Sequence, residues 1–261
     1  MLAVLSPAKS LNLDPLDRAV APTEPALMGE AEKLMKTARG LSQKKIRELM
    51  NISPDLAKLN YDRYRSFELP FSADNALPAA LTFNGDVYQG LDARSLAPDD
   101  LSWAQNHIAI LSGMFGILRP LDLIQPHRLE MGTRLKTRRG KNLYDFWGNR
   151  VAARVDELLE GQADAHLVNL ASQEYFKVVE KGRPRAPVVH CVFEDWKKDR
   201  EPNVISFAAK RARGLMARFI IETRIDRADG LRDFAVDRYR FQPDRSTDTR
   251  LVFGRSFQAA S

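Results

Sequence analysis

Short apolar runs alternate along this chain with amphipathic helical stripes, and that alternation constrains the fold more than any other feature. Met1–Leu5, Ile108–Leu111, Leu167–Leu170, Val188–Phe193, Val204–Phe207 and Leu251–Phe253 are too short for helices and rich in branched or aromatic residues, so they read as buried strands. Between them lie helical stretches. Leu27, Ala31, Leu34, Met35 and Ala38 form one apolar stripe that Gly40 stops. Ser42 then caps a second helix with Ile46, Leu49 and Met50 inward, and Ser53-Pro54 opens a third that runs toward Phe67.

Further along, Ala80–Phe83 reads as a strand, with Asn84-Gly85 as a hairpin turn before Val87-Tyr88. Pro98 starts a short helix, and residues 113–141 read as a long structured loop. Asn142 with Asp145 opens a helix to Glu160, Ser172 caps one carrying Tyr175, Phe176 and Val179, and another spans Ala208–Ile225. Strands and helices interleaved from end to end predict an α/β fold, a mixed β-sheet core flanked by helices. No repeat, low-complexity segment or linker composition divides the 261 residues, so one domain is expected, with the helices of residues 26–66 as an appendage at most.

A single cysteine, Cys191, permits no internal disulfide and fits a reduced, cytoplasmic protein. The amino terminus lacks the basic region of a signal peptide. The longest uncharged stretch, 101–118, is broken by polar residues and by Gly113 and Gly116, so no membrane association is expected. His107, His127, His166 and His190 lack metal-ligand spacing, which leaves no metal site and no cofactor expected.

The net charge of +6 conceals an uneven distribution. Residues 33–47 hold six cations and no acid, residues 119–150 an excess of five, and residues 205–224 an excess of four. The remainder is therefore net negative by nine. Such clustering suits a surface that meets a polyanion, although any one charged run can be a solvated helix face.

Within the first window, Arg39-Gly40-Leu41-Ser42-Gln43-Lys44-Lys45-Ile46 joins two amphipathic helices and resembles a helix-hairpin-helix motif of DNA-repair proteins. Glycine lets the backbone approach a phosphate, and the N–H groups opening the second helix point at the anion. Ser42 stands where the motif carries its second glycine. The DNA-facing set is then Lys36, Arg39, Gly40, Leu41, Ser42, Lys44 and Lys45, with Arg119, Arg128 and Arg134, and with Lys210, Arg211, Arg213 and Arg218.

Loops at the carboxyl ends of strands carry a second set, Ser6 and Lys9 after the first strand and Asn169, Ser172, Glu174, Tyr175 and Lys177 after a later one. Carboxyl ends of strands are where α/β proteins place ligands. An ordinary capped helix start is the favoured reading of Ser172 and Glu174, with Tyr175 and Lys177 the residues expected to do more. Ser6-x-x-Lys9 matches a serine acylase pattern by letter, but its partner motifs are absent. Cys191 reads as a small core residue.

Several segments together are similar to the bacterial YaaA family of peroxide-stress resistance proteins: Ser6-Pro7-Ala8-Lys9, Phe83–Leu91, Leu111–Asp122, Pro126–Gly132, Asn169–Tyr175 and Lys210–Phe219. That resemblance covers nearly the whole chain. It implies a single α/β domain of a family-specific fold with a helix-hairpin-helix and a positive cleft. It also implies a cytoplasmic role against hydrogen peroxide, tied to DNA repair and to limiting reactive iron. Phe115 and His127 stand where the family usually has tyrosine, so no role resting on those hydroxyls carries over. The expectation is a monomer that grips double-stranded or structured DNA without reading its sequence. The alternative is an enzyme acting on a phosphorylated or nucleic-acid substrate through Lys9, Arg119, Arg128, Tyr175 and Lys177.

Overall fold

The computed structural model describes residues 1–197 and 202–257. In chain order, β1 (Leu2–Leu5) and β2 (Ser10–Leu11) precede α1 (Met28–Arg39), α2 (Gln43–Met50) and α3 (Pro54–Ser66). β3 (Leu77–Pro78), α4 (Ala79–Thr82), β4 (Phe83–Asn84), α5 (Asp86–Leu91) and α6 (Pro98–His107) follow. Next come β5 (Ile108–Ser112), β6 (Gly116–Leu118), β7 (Leu123–Ile124), α7 (Leu143–Trp147) and α8 (Arg150–Leu159). β8 (Leu167–Asn169), α9 (Gln173–Gly182), β9 (Val188–Lys197), α10 (Ser206–Glu222), β10 (Arg240–Phe241) and β11 (Arg250–Phe257) complete the order.

Seven strands form one mixed sheet in the order β10-β11-β9-β8-β1-β5-β6. β11, β9, β8, β1 and β5 run parallel, while β10 and β6 close the two edges antiparallel. Parallel strands are covered on both faces, which is why β1 and β5 read as unbroken apolar runs and are buried at every residue. Trp147, Phe115, Phe193 and Phe253 are among the largest fully buried side chains. The helices of residues 26–66 are no loose appendage: Leu34, Ile46 and Ala57 belong to the same hydrophobic core as β1.

Three local expectations are corrected. Ala80–Phe83 is not a strand with a following hairpin. Ala79–Thr82 forms a helical turn in which the Thr82 hydroxyl donates to the Pro78 carbonyl at 2.7 Å, and residues 86–91 are helical. All four α4 side chains are buried, and a run buried all round carries no readable period. The helix expected from Asn142 to Glu160 breaks at Gly148, whose φ of 55° ends α7. Val204–Phe207 is not a strand either, because α10 starts at Ser206 and Phe207 is 70% exposed. The loop of residues 113–141 contains the short strands β6 and β7 and is otherwise irregular, as expected.

Candidate functional site

β1 sends its chain to β5 on one side, and β8 returns on the other. Two loops leave the sheet at this reversal, 6–9 from β1 and 170–172 from β8. A crevice at such a reversal is where open α/β sheets bind ligands. The Ser6 hydroxyl fastens the loops together, accepting the Ser172 N–H at 2.9 Å and reaching the Ser172 hydroxyl at 3.3 Å. Ser172 therefore makes no side-chain cap on α9, contrary to the expectation from sequence.

Two close backbone approaches set the walls. A Cβ on Gly214 of α10 would lie 1.8 Å from the Val87 carbonyl, and one on Gly90 would lie 2.2 Å from the Arg211 carbonyl. Only glycine at both positions lets α5 and α10 touch backbone to backbone. That contact brings Lys210 and Arg213, one helical turn apart, to the strand ends. At Gly113 a Cβ would meet the Leu129 carbonyl at 2.1 Å, so the segment 128–131 lies directly on the end of β5.

Between these walls is a cleft of about 410 Å³ lined by Ser6, Lys9, Glu130, Ser172, Tyr175 and Arg213, with Asn84, Asp86, Glu174 and Lys210 among its further lining. A smaller recess behind it shares Lys9, Glu130 and Tyr175 and adds Arg128 and His127. Arg128 donates from Nε at 3.1 Å and from a terminal nitrogen at 2.8 Å to Oε1 of Glu130, and Lys9 Nζ stands 3.5 Å from the same oxygen. Glu130 Oε2 is buried with no hydrogen-bond partner. Glu174 accepts the Gly132 N–H at 2.9 Å, and Tyr88 donates to the Ser6 carbonyl at 3.1 Å.

Burial dominates the electrostatics. It raises the Tyr175 phenol, with Glu174 and Glu130 adding to the effect, and it raises Tyr88 with a contribution from Tyr175. Both phenols are therefore hydrogen-bonding groups that keep their protons. Burial also lowers the Arg213 guanidinium, whose Nε has no hydrogen-bond partner. His127 is pushed down to about 4 by burial, against the opposing hydrogen bond to the Gln125 carbonyl, and so is neutral. Burial pushes the Cys191 thiol up to about 12, which leaves it protonated and poorly nucleophilic.

Of the strand-loop set, Ser6, Lys9, Ser172, Glu174 and Tyr175 converge on the cleft. Asn169 does not line it. Its side chain accepts the Ala171 N–H at 2.8 Å and contacts the His190 ring at 3.0 Å, shaping the turn after β8. Lys177 lies 5.4 Å over the Tyr144 ring. Arg119 stands apart from the cleft beside Asp122, 3.6 Å away.

The DNA-facing set is dispersed. Lys210 and Arg213 join the cleft, while exposed Arg211 pairs with Asp237 at 3.3 Å and Arg134 is exposed. Arg218 donates to the Leu91 and Asp92 carbonyls at 3.1 Å and pairs with Glu222 at 2.8 Å. Around the junction of α1 and α2, Lys36, Arg39, Gly40, Ser42, Lys44 and Lys45 are exposed, Leu41 is half-buried and Ile46 is fully buried. Ser42 accepts the Lys45 N–H at 3.2 Å, and Arg39 donates to the Tyr64 carbonyl at 2.8 Å.

Sequence reasoning passed over Glu130, Asn84 and Asp86. Arg128 and Glu130 are two residues apart, a spacing that puts side chains on one side of an extended chain, and this was the available signal. Charge in the cleft is balanced, Lys9, Lys210 and Arg213 standing against Asp86, Glu130 and Glu174. Among the described residues no group of three or more His, Cys, Asp or Glu side chains is placed to hold a metal ion.

The family described as "Peroxide stress protein YaaA" matches residues 1–245. A UPF0246 protein of Burkholderia lata is 51% identical over 257 residues, covering 98% of each chain. One of Bordetella petrii is 50% identical over 255 residues, and one of Aromatoleum aromaticum 49% over 259, each covering 98% of this chain and 99% of the relative. With a family match over nearly its whole length and relatives at half identity end to end, the chain belongs to the YaaA family of peroxide stress proteins.

Proposed function

We propose that this protein serves the peroxide stress response by binding DNA through backbone phosphates, with the turn between α1 and α2 as the principal contact. The exposed run Ser42-Gln43-Lys44-Lys45, held from beneath by Ile46 in the core, carries this reading. It offers two lysines and the opening N–H groups of an eight-residue helix whose dipole favours an anion. Contacts of that kind read phosphate spacing and duplex shape rather than bases.

In this reading the protein acts as a cytoplasmic monomer on duplex or structured DNA, in support of repair and of restraint on reactive iron. No helix among the described residues is long and apolar enough to cross a membrane. Arg218 contributes least, because the Leu91 and Asp92 carbonyls hold it as well as Glu222, whereas Lys45 meets its acid, Glu48, at 3.6 Å with both side chains exposed.

The test is a binding series over duplex, bubble, junction and single-stranded DNA at several salt concentrations. The expected result is a steep salt dependence without sequence preference. Combining Lys44→Glu with Lys45→Glu is expected to abolish binding while leaving the melting temperature within a few degrees of the parent. Unchanged affinity in that double variant would remove the hairpin as the contact.

A further inference from the structure

Four buried side-chain polar atoms among the described residues have no hydrogen-bond partner, and two of them belong to residues lining the cleft: Nε of Arg213 and Oε2 of Glu130. A buried polar atom left unpaired costs about 1–3 kcal/mol, and more when it is charged. Two such atoms at one cleft call for a common cause.

Their chemistry is opposite, and so are their positions. Arg213 makes no ion pair among the described residues, and the titratable group acting on it is the Cys191 thiol of β9. Lys210 stands one turn earlier on the same helix. Beside them opens α9, ten residues long, whose N-cap hydroxyl is engaged by Ser6 and makes no bond to its own first turn. The first turn of α9 carries the Glu174 carboxylate, which accepts the Gly132 N–H, so at this end of the cleft Arg213 and Lys210 are the groups suited to an anion. Glu130 lies on the end of β5, against Gly113. Arg128 and Lys9 hold its Oε1, which leaves Oε2 as an acceptor in need of a donor.

From β9 through β8 and β1 to β5 is three strand spacings, about 14 Å. With side chains reaching inward from both ends, that span suits a mononucleotide. The cleft volume of about 410 Å³ falls within the range of small-molecule sites. Balanced charge argues in the same direction. A DNA backbone laid through the cleft would bring phosphates past Asp86, Glu130 and Glu174, whereas a small ligand with one anionic end and one donor end would pair with each side in turn.

We propose that this cleft binds a small phosphomonoester of the size of a nucleoside 5′-monophosphate. Its phosphate rests on Arg213 and Lys210, and an N–H or O–H at its far end donates to Glu130 Oε2. The site is separate from the α1–α2 turn, none of whose residues lines it.

Calorimetry on the full chain tests this with the four common ribonucleoside 5′-monophosphates, the matching nucleosides and inorganic phosphate. At least one monophosphate is expected to bind ten-fold or more tighter than its nucleoside. Arg213→Gln should weaken both that monophosphate and inorganic phosphate at least ten-fold, with Arg213→Lys intermediate. Glu130→Gln should weaken the monophosphate while leaving inorganic phosphate within two-fold. Melting curves establish that each variant is folded. The proposal is overturned if no monophosphate binds better than its nucleoside, or if Arg213→Gln leaves the monophosphate's affinity unchanged. It is equally overturned if Arg213→Gln weakens duplex DNA as much as the Lys44→Glu, Lys45→Glu pair does, since the cleft would then be part of the DNA grip.

Discussion

The Ser172 backbone N–H donates to the Ser6 hydroxyl at 2.9 Å, joining residues 166 positions apart at the point where the sheet reverses direction. One hydroxyl thus ties the loop after β1 to the start of α9 and diverts Ser172 from capping its own helix. The cleft exists in its present shape because those two loops are held together.

That bond predicts coupling. Ser6→Ala should cost about 1–2 kcal/mol, the price of a partly buried N–H losing its acceptor. It also releases the Ser172 hydroxyl to cap α9, so Ser172→Ala should be more damaging in the Ser6→Ala background than in the parent. Urea denaturation of the four proteins in a double-mutant cycle measures the coupling, expected at about 1 kcal/mol. Strict additivity would mean the two serines act independently.

The α5–α10 contact predicts an asymmetry among glycines. Gly214→Ala puts a methyl 1.8 Å from the Val87 carbonyl, a backbone atom that cannot swing aside, and should destabilise the protein by about 3 kcal/mol or more. Gly29 of α1 is exposed and has nothing within 4 Å of an added Cβ. Gly29→Ala should therefore raise stability by about 0.5 kcal/mol through helix propensity. Melting temperatures of the two variants should move in opposite directions.

His127 predicts an acid-side loss of stability. Its imidazole is buried with Nδ1 donating to the Gln125 carbonyl at 2.8 Å and its ring edge-to-face with Phe115. Burial lowers it from 6.5 to about 4 in the folded protein, so between those pH values the unfolded chain binds the extra proton. Stability from this residue is complete above pH 6.5 and falls as pH drops through the window, by about 3 kcal/mol in all. His127→Phe should be less stable near neutrality by about 1 kcal/mol, having lost the hydrogen bond, yet show a flatter pH dependence between 6.5 and 4. Parallel pH profiles for parent and variant would contradict this.

Arginines already engaged predict a separation of stability from binding. Arg218 bridges α10 to the carbonyls of Leu91 and Asp92 and to the Ser95 hydroxyl, so Arg218→Ala should cost about 2 kcal/mol of stability and leave the salt slope of DNA binding unchanged. Lys44→Ala should do the reverse, lowering the slope by about 1 with little change in stability. Anisotropy titrations across salt concentrations, paired with melting curves, distinguish the two.

Much of the architecture is legible in local sequence pattern. β1, β5 and β8 coincide with apolar runs because a parallel strand covered on both faces needs no alternation, and β9 and β11 contain such runs but extend four residues beyond them. α1, α2 and α3 coincide with 3.6-residue stripes bounded by Gly40, Ser42 and Ser53-Pro54, signals that act within a few residues. α4 and α5 escaped notice because their short runs are buried on nearly every side, and burial all round erases periodicity.

The layered α/β class, the strand-end loops that carry Ser6, Lys9, Ser172 and Tyr175, and the basic turn at residues 42–45 can be read along the chain. Those follow from local pattern and from charge along the chain. Which of these meet depends on packing between distant segments. It drew Arg213 and Lys210 out of a basic window and into the cleft, because Gly90 and Gly214 let two helices touch. It set Glu130 opposite them, because Gly113 lets a distant loop lie on the end of β5. And it fixed Arg218 to the Leu91 and Asp92 carbonyls and the Ser95 hydroxyl, which charge counting along a chain cannot anticipate because those partners arrive through packing.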